Sequence, residues 1–228
     1  MPTYDLHVRF TQPEHPTNYV KLFEIAHQLG YTGLALESST PLPKELLAES
    51  VQILQRLTIS PRSATRLKAR AEKLRRQSDL LVVHGRTKPI WLAAAEITVV
   101  DIIMLRDFQD FVAVDSQVAR AMSSNNKPIE LCLHQLLSSK GSNRSRLIRA
   151  MRTALEFLVR SKCPLVLTSG ANHVCGLRAP RDLAALCYLA SVPEEVAKEA
   201  ILQEPMKLVS TIHARRNQGM RIKSGRRS

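Results

Sequence analysis

Leu80-Leu81-Val82-Val83 is followed, after six residues, by Ile90-Trp91-Leu92-Ala93-Ala94-Ala95-Glu96 and, after five more, by Ile102-Ile103-Met104-Leu105. The outer runs are short and apolar at every position, as strands buried on both faces are. The stretch between them reads as a helix. Strand, helix and strand in that order imply a parallel βα unit. The same alternation extends in both directions. Strands are predicted at Tyr4–Val8, Thr32–Leu36, Leu57–Ile59, Ile129–Leu133 and Leu165–Thr168 besides these two. Helices are predicted at Asn18–Leu29, Lys44–Leu54, Ala64–Gln77, Asp115–Ser123 and Ser145–Ser161 besides Ile90–Glu96. Seven such strands favour a closed or nearly closed α/β barrel over an open sheet. In the Ser145–Ser161 helix, Leu147, Ile148, Met151, Ala154, Leu155 and Leu158 form a core face, with Arg149, Arg152 and Arg160 on another.

After Thr168 the pattern changes. Arg178-Ala179-Pro180-Arg181-Asp182 opens a helix through Leu189. Pro193-Glu194-Glu195 opens a second, running to about Leu202, with Pro205 as its expected interruption. From about Ala214 apolar residues are few, and no fixed structure is expected until a partner binds. One barrel domain over residues 1–212 and a basic tail over 213–228 follow.

The chain has 228 residues, 44% hydrophobic and 23% charged, with a net charge of +13. This composition excludes a wholly disordered chain, a collagen and a disulfide-dense mini-protein. Three blocks hold the charge: Arg66–Arg76 at +5, Lys140–Lys162 at +6 and His213–Ser228 at +6. The rest of the chain carries −4. Clustering of this kind favours phosphate binding over an even solvation coat. Aromatics are only 4% of the chain, so a base-stacking platform is not expected, and the backbone of a structured RNA fits better.

Other classes find little support. There are eight glycines and no Gly-rich fingerprint after a strand, which disfavours a dinucleotide site. There is no GxSxG elbow. The N-terminus has no signal-type stretch, and Ile97–Leu105 is broken by Asp101, so a cytoplasmic location and no membrane partner are expected. Cys132, Cys163, Cys175 and Cys187 lack CxxC spacing and read as small buried residues. Cys175, Cys187 and His173 are the nearest approach to a zinc set.

In α/β barrels chemistry sits at the C-terminal strand ends. Those ends hold His7, Glu37, His84 and His134, with Asp5 nearby. These residue types either converge on a hydrolytic metal or form a polar ring satisfied by hydrogen bonds. Ser169, at a tight turn with exposed backbone N–H groups, is a phosphate-contact candidate. The RNA-contact candidates are Arg9, Arg86, Lys88, Arg106, Arg178 and Arg181, supported by Arg215, Arg216, Arg221 and Lys223 of the tail. Each has an alternative as an ion pair or a solvated residue.

Several short stretches together resemble the ribonuclease P 30-kilodalton subunit family, archaeal protein component 3. They are Tyr4-Asp5-Leu6-His7, Leu29-Gly30-Tyr31, Val82-Val83-His84-Gly85, Asp101-Ile102-Ile103, Ile129-Glu130-Leu131, Thr168-Ser169-Gly170-Ala171 and Arg178-Ala179-Pro180-Arg181-Asp182-Leu183. The last two are the most specific, which puts Arg178 and Arg181 first among the RNA-contact candidates. The resemblance implies a distorted TIM-like (β/α)7 barrel related to the PHP metal hydrolases, with C-terminal helices. It implies a subunit of the ribonucleoprotein that removes 5′ leaders from precursor tRNA. The RNA subunit there supplies the catalytic centre and its magnesium, and the protein binds no cofactor of its own. A small ferredoxin-like subunit and other ribonuclease P proteins are the implied partners. The related hydrolases open with His-x-His, where this chain has Asp5-Leu6-His7. Their closing Asp-x-His is absent from Thr168-Ser169-Gly170-Ala171. A free-standing metal-dependent phosphoesterase and a basic protein–protein adaptor are the competing readings.

Overall fold

The computed structural model describes residues 1–9, 17–38 and 51–224, with side chains for all of these but 17–18 and 218–224. Seven strands form one sheet in sequence order: β1 (Tyr4–Val8), β2 (Gly33–Glu37), β3 (Gln52–Ile59), β4 (Leu80–Val83), β5 (Ile102–Leu105), β6 (Ile129–Cys132) and β7 (Leu165–Thr168). All neighbouring pairs are parallel. β1 then reaches β7 through a bridge from Val8 to Ala171, where the Arg9 amide donates to the Ala171 carbonyl at 2.7 Å. The sheet is therefore a nearly closed barrel.

The connecting helices are α1 (Thr17–Gln28), α2 (Leu67–Arg75), α3 (Lys88–Glu96), α4 (Phe108–Val112), α5 (Ser116–Ser124), α6 (His134–Ser138) and α7 (Gly141–Arg160). In α3, Ile90, Trp91, Ala94 and Ala95 are the buried face. This face packs on Leu81, Val83, Ile103 and Leu105, the outward residues of β4 and β5. Each large side chain so covered contributes about 1.5–3 kcal/mol. α5 starts at Asp115, whose carboxylate accepts from the amides of Gln117 and Val118, satisfying two otherwise orphaned donors.

A second core fills the barrel. Tyr4, Leu54, Leu80, Ile102 and Val166 point inward and meet Val209 and Ile212 of the last helix, α10 (Glu204–Ser224). α8 (Pro180–Tyr188) and α9 (Glu194–Lys198) lead into it. α10 thus closes the N-terminal end of the barrel. Two ionic ties hold it there, Arg215 to Asp101 at 2.7 Å and Arg216 to Asp79 at 2.5 Å. Arg75 also reaches Asp101 and the Asp79 carbonyl.

Three local expectations are corrected. Gln52–Leu54 belong to β3 and not to a helix over Lys44–Leu54, of which residues 44–50 lie outside the described ones. Pro205 does not interrupt the chain's last helix. The five residues before α10, Glu199–Gln203, form a π segment, and its wider bonding carries the helix past a residue with no N–H to donate. The chain after Ala214 is helical through Ser224, since Arg215 and Arg216 find fixed partners.

Candidate functional site

The open end of the barrel is lined by charged side chains that mostly bond one another. At its centre is Arg56, an inward residue of β3 that is 0% exposed. Its guanidinium lies 2.7 Å from Glu130 of β6 and donates to the Leu6 carbonyl at 2.8 Å. It also reaches the Thr58 hydroxyl at 3.3 Å. Glu130 accepts from Thr168 of β7 at 2.7 Å. His7 of β1 bridges two acids, with Nδ1 2.7 Å from Glu130 and Nε2 3.0 Å from Glu37. Asp5 accepts from the His7 and Ser169 amides at 3.1 and 3.3 Å.

Burial and the Arg56 charge push the His7 pKa down, but Glu130 and Cys132 outweigh them and hold it well above its ordinary value. His7 lies between two carboxylates, so the site favours its protonated form, which donates from both nitrogens. Burial alone would raise Glu37 and Glu130, yet the two cations hold both at about 2. Asp5 is carried the other way, to about 6, because desolvation exceeds its hydrogen bonds. Two cations thus face two carboxylates inside the barrel.

The likeness to metal hydrolases requires a test of fit. His7, Glu130 and Cys132 bring ligand atoms within 4.8 Å of one another. Both ring nitrogens of His7 are already engaged by carboxylates, which leaves neither for an ion. The Arg56 guanidinium, already against Glu130, repels a second cation. These three residues do not fit a catalytic metal, and the Arg56 guanidinium is the cation already placed against Glu130.

A second cluster lies beside the first. His84 Nε2 is 3.0 Å from Asp110 and 4.0 Å from Asp107. Asp107 and Asp110 form the capping box of α4. Asp110 accepts the Arg106 and Asp107 amides at 2.9 Å each. Burial tends to raise Asp110, but these bonds and His84 hold it below its usual range. The cluster starts a helix.

Around this network stands a basic rim. The His134 pKa is lowered by burial and then by Arg9, His7, His173 and Arg106. Arg86 is 71% exposed and 3.8 Å from Asp107. Lys88 pairs with Asp115 at 2.5 Å, and Arg106 lies 3.4 Å from Asp107. Arg178 donates to the Cys175 and Leu177 carbonyls at 2.8 and 2.7 Å, while its own carbonyl accepts from buried Tyr31 at 2.8 Å. It clasps its loop. Arg181 is 91% exposed, with Asp182 at 3.7 Å as a long, solvated pair.

Several candidates fall elsewhere. Ser169 is fully buried, and its hydroxyl accepts from the Ala171 amide at 3.1 Å. It is an internal latch and not a phosphate seat. Arg215 and Arg216 are tied to Asp101 and Asp79 at the opposite end of the barrel. Arg221 and Lys223 continue α10, and their side chains lie outside the described residues. Cys175 is exposed while Cys187 is buried. They form no metal-compatible group with His173 among the described residues. Sequence reasoning missed Arg56, Glu130, Asp107 and Asp110. The signal for Glu130 was present, as an acid at the centre of Ile129-Glu130-Leu131-Cys132.

Three comparisons bear on this arrangement. The chain is 29% identical over 203 residues to ribonuclease P protein component 3 of Methanosarcina barkeri, covering 87% of this chain and 85% of that protein. It superposes on a chain of an archaeal ribonuclease P determined by cryo-EM with mature tRNA, with a TM-score of 0.75 and 22% identity over 96% of this chain and 93% of that one. A zinc-bound histidinol phosphate phosphatase from Lactococcus lactis shares the fold with a TM-score of 0.53 and 12% identity, over 83% of this chain and 92% of that one. The sequence model of the RNase P subunit p30 family matches residues 2–217, and with nearly the whole chain so matched this protein belongs to that family.

Proposed function

We propose that this protein is a subunit of ribonuclease P. It binds and supports the catalytic domain of the RNA subunit, and the assembled enzyme removes 5′ leaders from precursor tRNA. The observation that carries this reading is the barrel mouth of a p30-family chain filled by its own ion pairs, Arg56 to Glu130 and His7 to Glu37 and Glu130. A hydrolase needs an open coordination position there, so chemistry is left to the RNA and its magnesium. The protein brings no cofactor. A small ferredoxin-like subunit and other ribonuclease P proteins are the protein partners in this reading, and the cytoplasm is its location.

Phosphate contact falls to the exposed cations. Arg66, Lys68, Arg70 and Lys73 of the α2 block are exposed, as are Arg149 and Arg160 of α7, and Arg86 and Arg181 join them with only long pairs, to Asp107 at 3.8 Å and Asp182 at 3.7 Å. Binding to the ribonuclease P RNA measured between about 50 and 200 mM salt is the test. A log–log slope of several units is expected. Salt-independent binding, or none, would overturn the proposal. The competing phosphoesterase reading requires hydrolysis by the protein alone with added manganese or zinc.

A further inference from the structure

A cleft of about 390 Å³ opens beside the barrel mouth, between α4, α6 and the start of α7. Phe108, Gln109, Gln135, Ser138, Asn143 and Arg146 line it. Its size sits near the lower end of small-ligand sites, which run from about 300 to 1,000 Å³. The Arg146 guanidinium lies over the Phe108 ring, 4.9 Å from the centroid. Gln109 and Asn143 are exposed and their side-chain amides make no hydrogen bond to another described residue, so both are free to donate and accept. Gln135 is fixed differently: its amide nitrogen donates to Asp107 at 2.6 Å, which leaves its carbonyl oxygen as an acceptor. Arg144 closes the edge by donating to the Ser139 carbonyl at 2.7 Å.

These parts match what an unstacked base requires. Extruded bases stack on aromatic rings or guanidinium planes and are read at their edges by amide and hydroxyl groups. The charge suits the attached backbone on the α7 side, where Arg146 lines the cleft and Lys140 and Arg144 adjoin its lining residues in sequence, while Asp107 on the other side is engaged by Gln135. We propose that this cleft receives a single unpaired nucleotide of a structured RNA, stacked on the Phe108–Arg146 pair and read by Gln109, Asn143 and Gln135. The low aromatic content argues against a multi-base platform, but one ring serves one base. The inference deepens the ribonuclease P reading and rests on it.

The test uses the full chain bound to the ribonuclease P RNA of the same organism. Base edges are probed with dimethyl sulfate and a carbodiimide, and the backbone with hydroxyl radicals. The wild-type protein is expected to protect one unpaired base. Gln109→Ala/Asn143→Ala should re-expose that base, weaken binding by about tenfold and leave the salt slope unchanged, because both side chains are neutral. Phe108→Leu keeps the apolar filling and should re-expose the same base. If the wild-type protein leaves a backbone footprint but the variants change no base reactivity, the cleft assignment is wrong and the subunit reading stands. If the wild-type protein leaves no footprint, the subunit reading fails and the cleft assignment fails with it.

Discussion

Arg56→Met removes the barrel's internal cation while keeping most of its volume. Glu130 then remains 0% exposed, with only His7 to balance a site that also holds Glu37, and the Leu6 carbonyl loses its donor. Breaking a buried pair from one side costs about 3–5 kcal/mol. In a chain of this length each kcal/mol moves Tm by about 2–4 °C, so a fall of about 6–20 °C is expected in thermal melts at pH 7. The double variant Arg56→Met/Glu130→Gln no longer buries an unbalanced charge. It should be less damaged than the two single losses summed, by a coupling of about 1–3 kcal/mol. Urea unfolding of the four proteins measures that coupling directly. A Tm change under about 2 °C for Arg56→Met, or additivity within about 0.5 kcal/mol, would refute the claim that this pair organises the mouth.

Further outcomes follow from the same geometry. Glu37 and Glu130 sit at about 2 when folded, below their unfolded values, so their stabilisation is present above about pH 4.5 and is lost as pH falls toward 2. Urea midpoints between about pH 4.5 and pH 2.5 should show that loss, mostly below the range in which Asp5, held at about 6, acts in the opposite sense, and Glu130→Gln should flatten it. Gly170 has φ +61°, and a Cβ there would lie 2.4 Å from Cys132 Sγ. Gly170→Ala should therefore cost about 2–4 kcal/mol in denaturant titration, with part recovered by adding Cys132→Ala. Arg181→Ala should leave Tm within error and lower the salt slope of RNA binding by about one. Arg215→Ala should do the reverse, since its partner is Asp101.

The barrel was legible because its strands are apolar on both faces and its helices on one, so period and length together separated them. Lys44–Leu54 misled because Leu46, Leu47, Val51 and Leu54 also fit helical spacing, whereas Arg56 and Thr58 continue an inward-facing alternation that starts at Leu54. A helix ending at Leu54 hid the parity of Arg56, and with it the cation at the centre of the mouth. The individual letters His7, Glu37 and His84 were readable, but their partners were not, since Glu130 and Asp110 lie far along the chain and only barrel closure brings them near. The tail read as unstructured because it is nearly all polar beyond Ile212. Its order comes from Asp79 and Asp101, acids at the starts of β4 and β5 that composition alone does not pair with Arg215 and Arg216.

In the proposed role this barrel serves an RNA catalyst and does no chemistry of its own. Cleavage of precursor tRNA at moderate magnesium tests it most directly, comparing the RNA subunit alone, with the small partner subunit, and with that subunit plus this protein. The account predicts that this protein raises cleavage only when the RNA is present and cleaves nothing by itself. Phosphoester hydrolysis by the protein alone with added manganese or zinc, with no effect on the RNA, would contradict it.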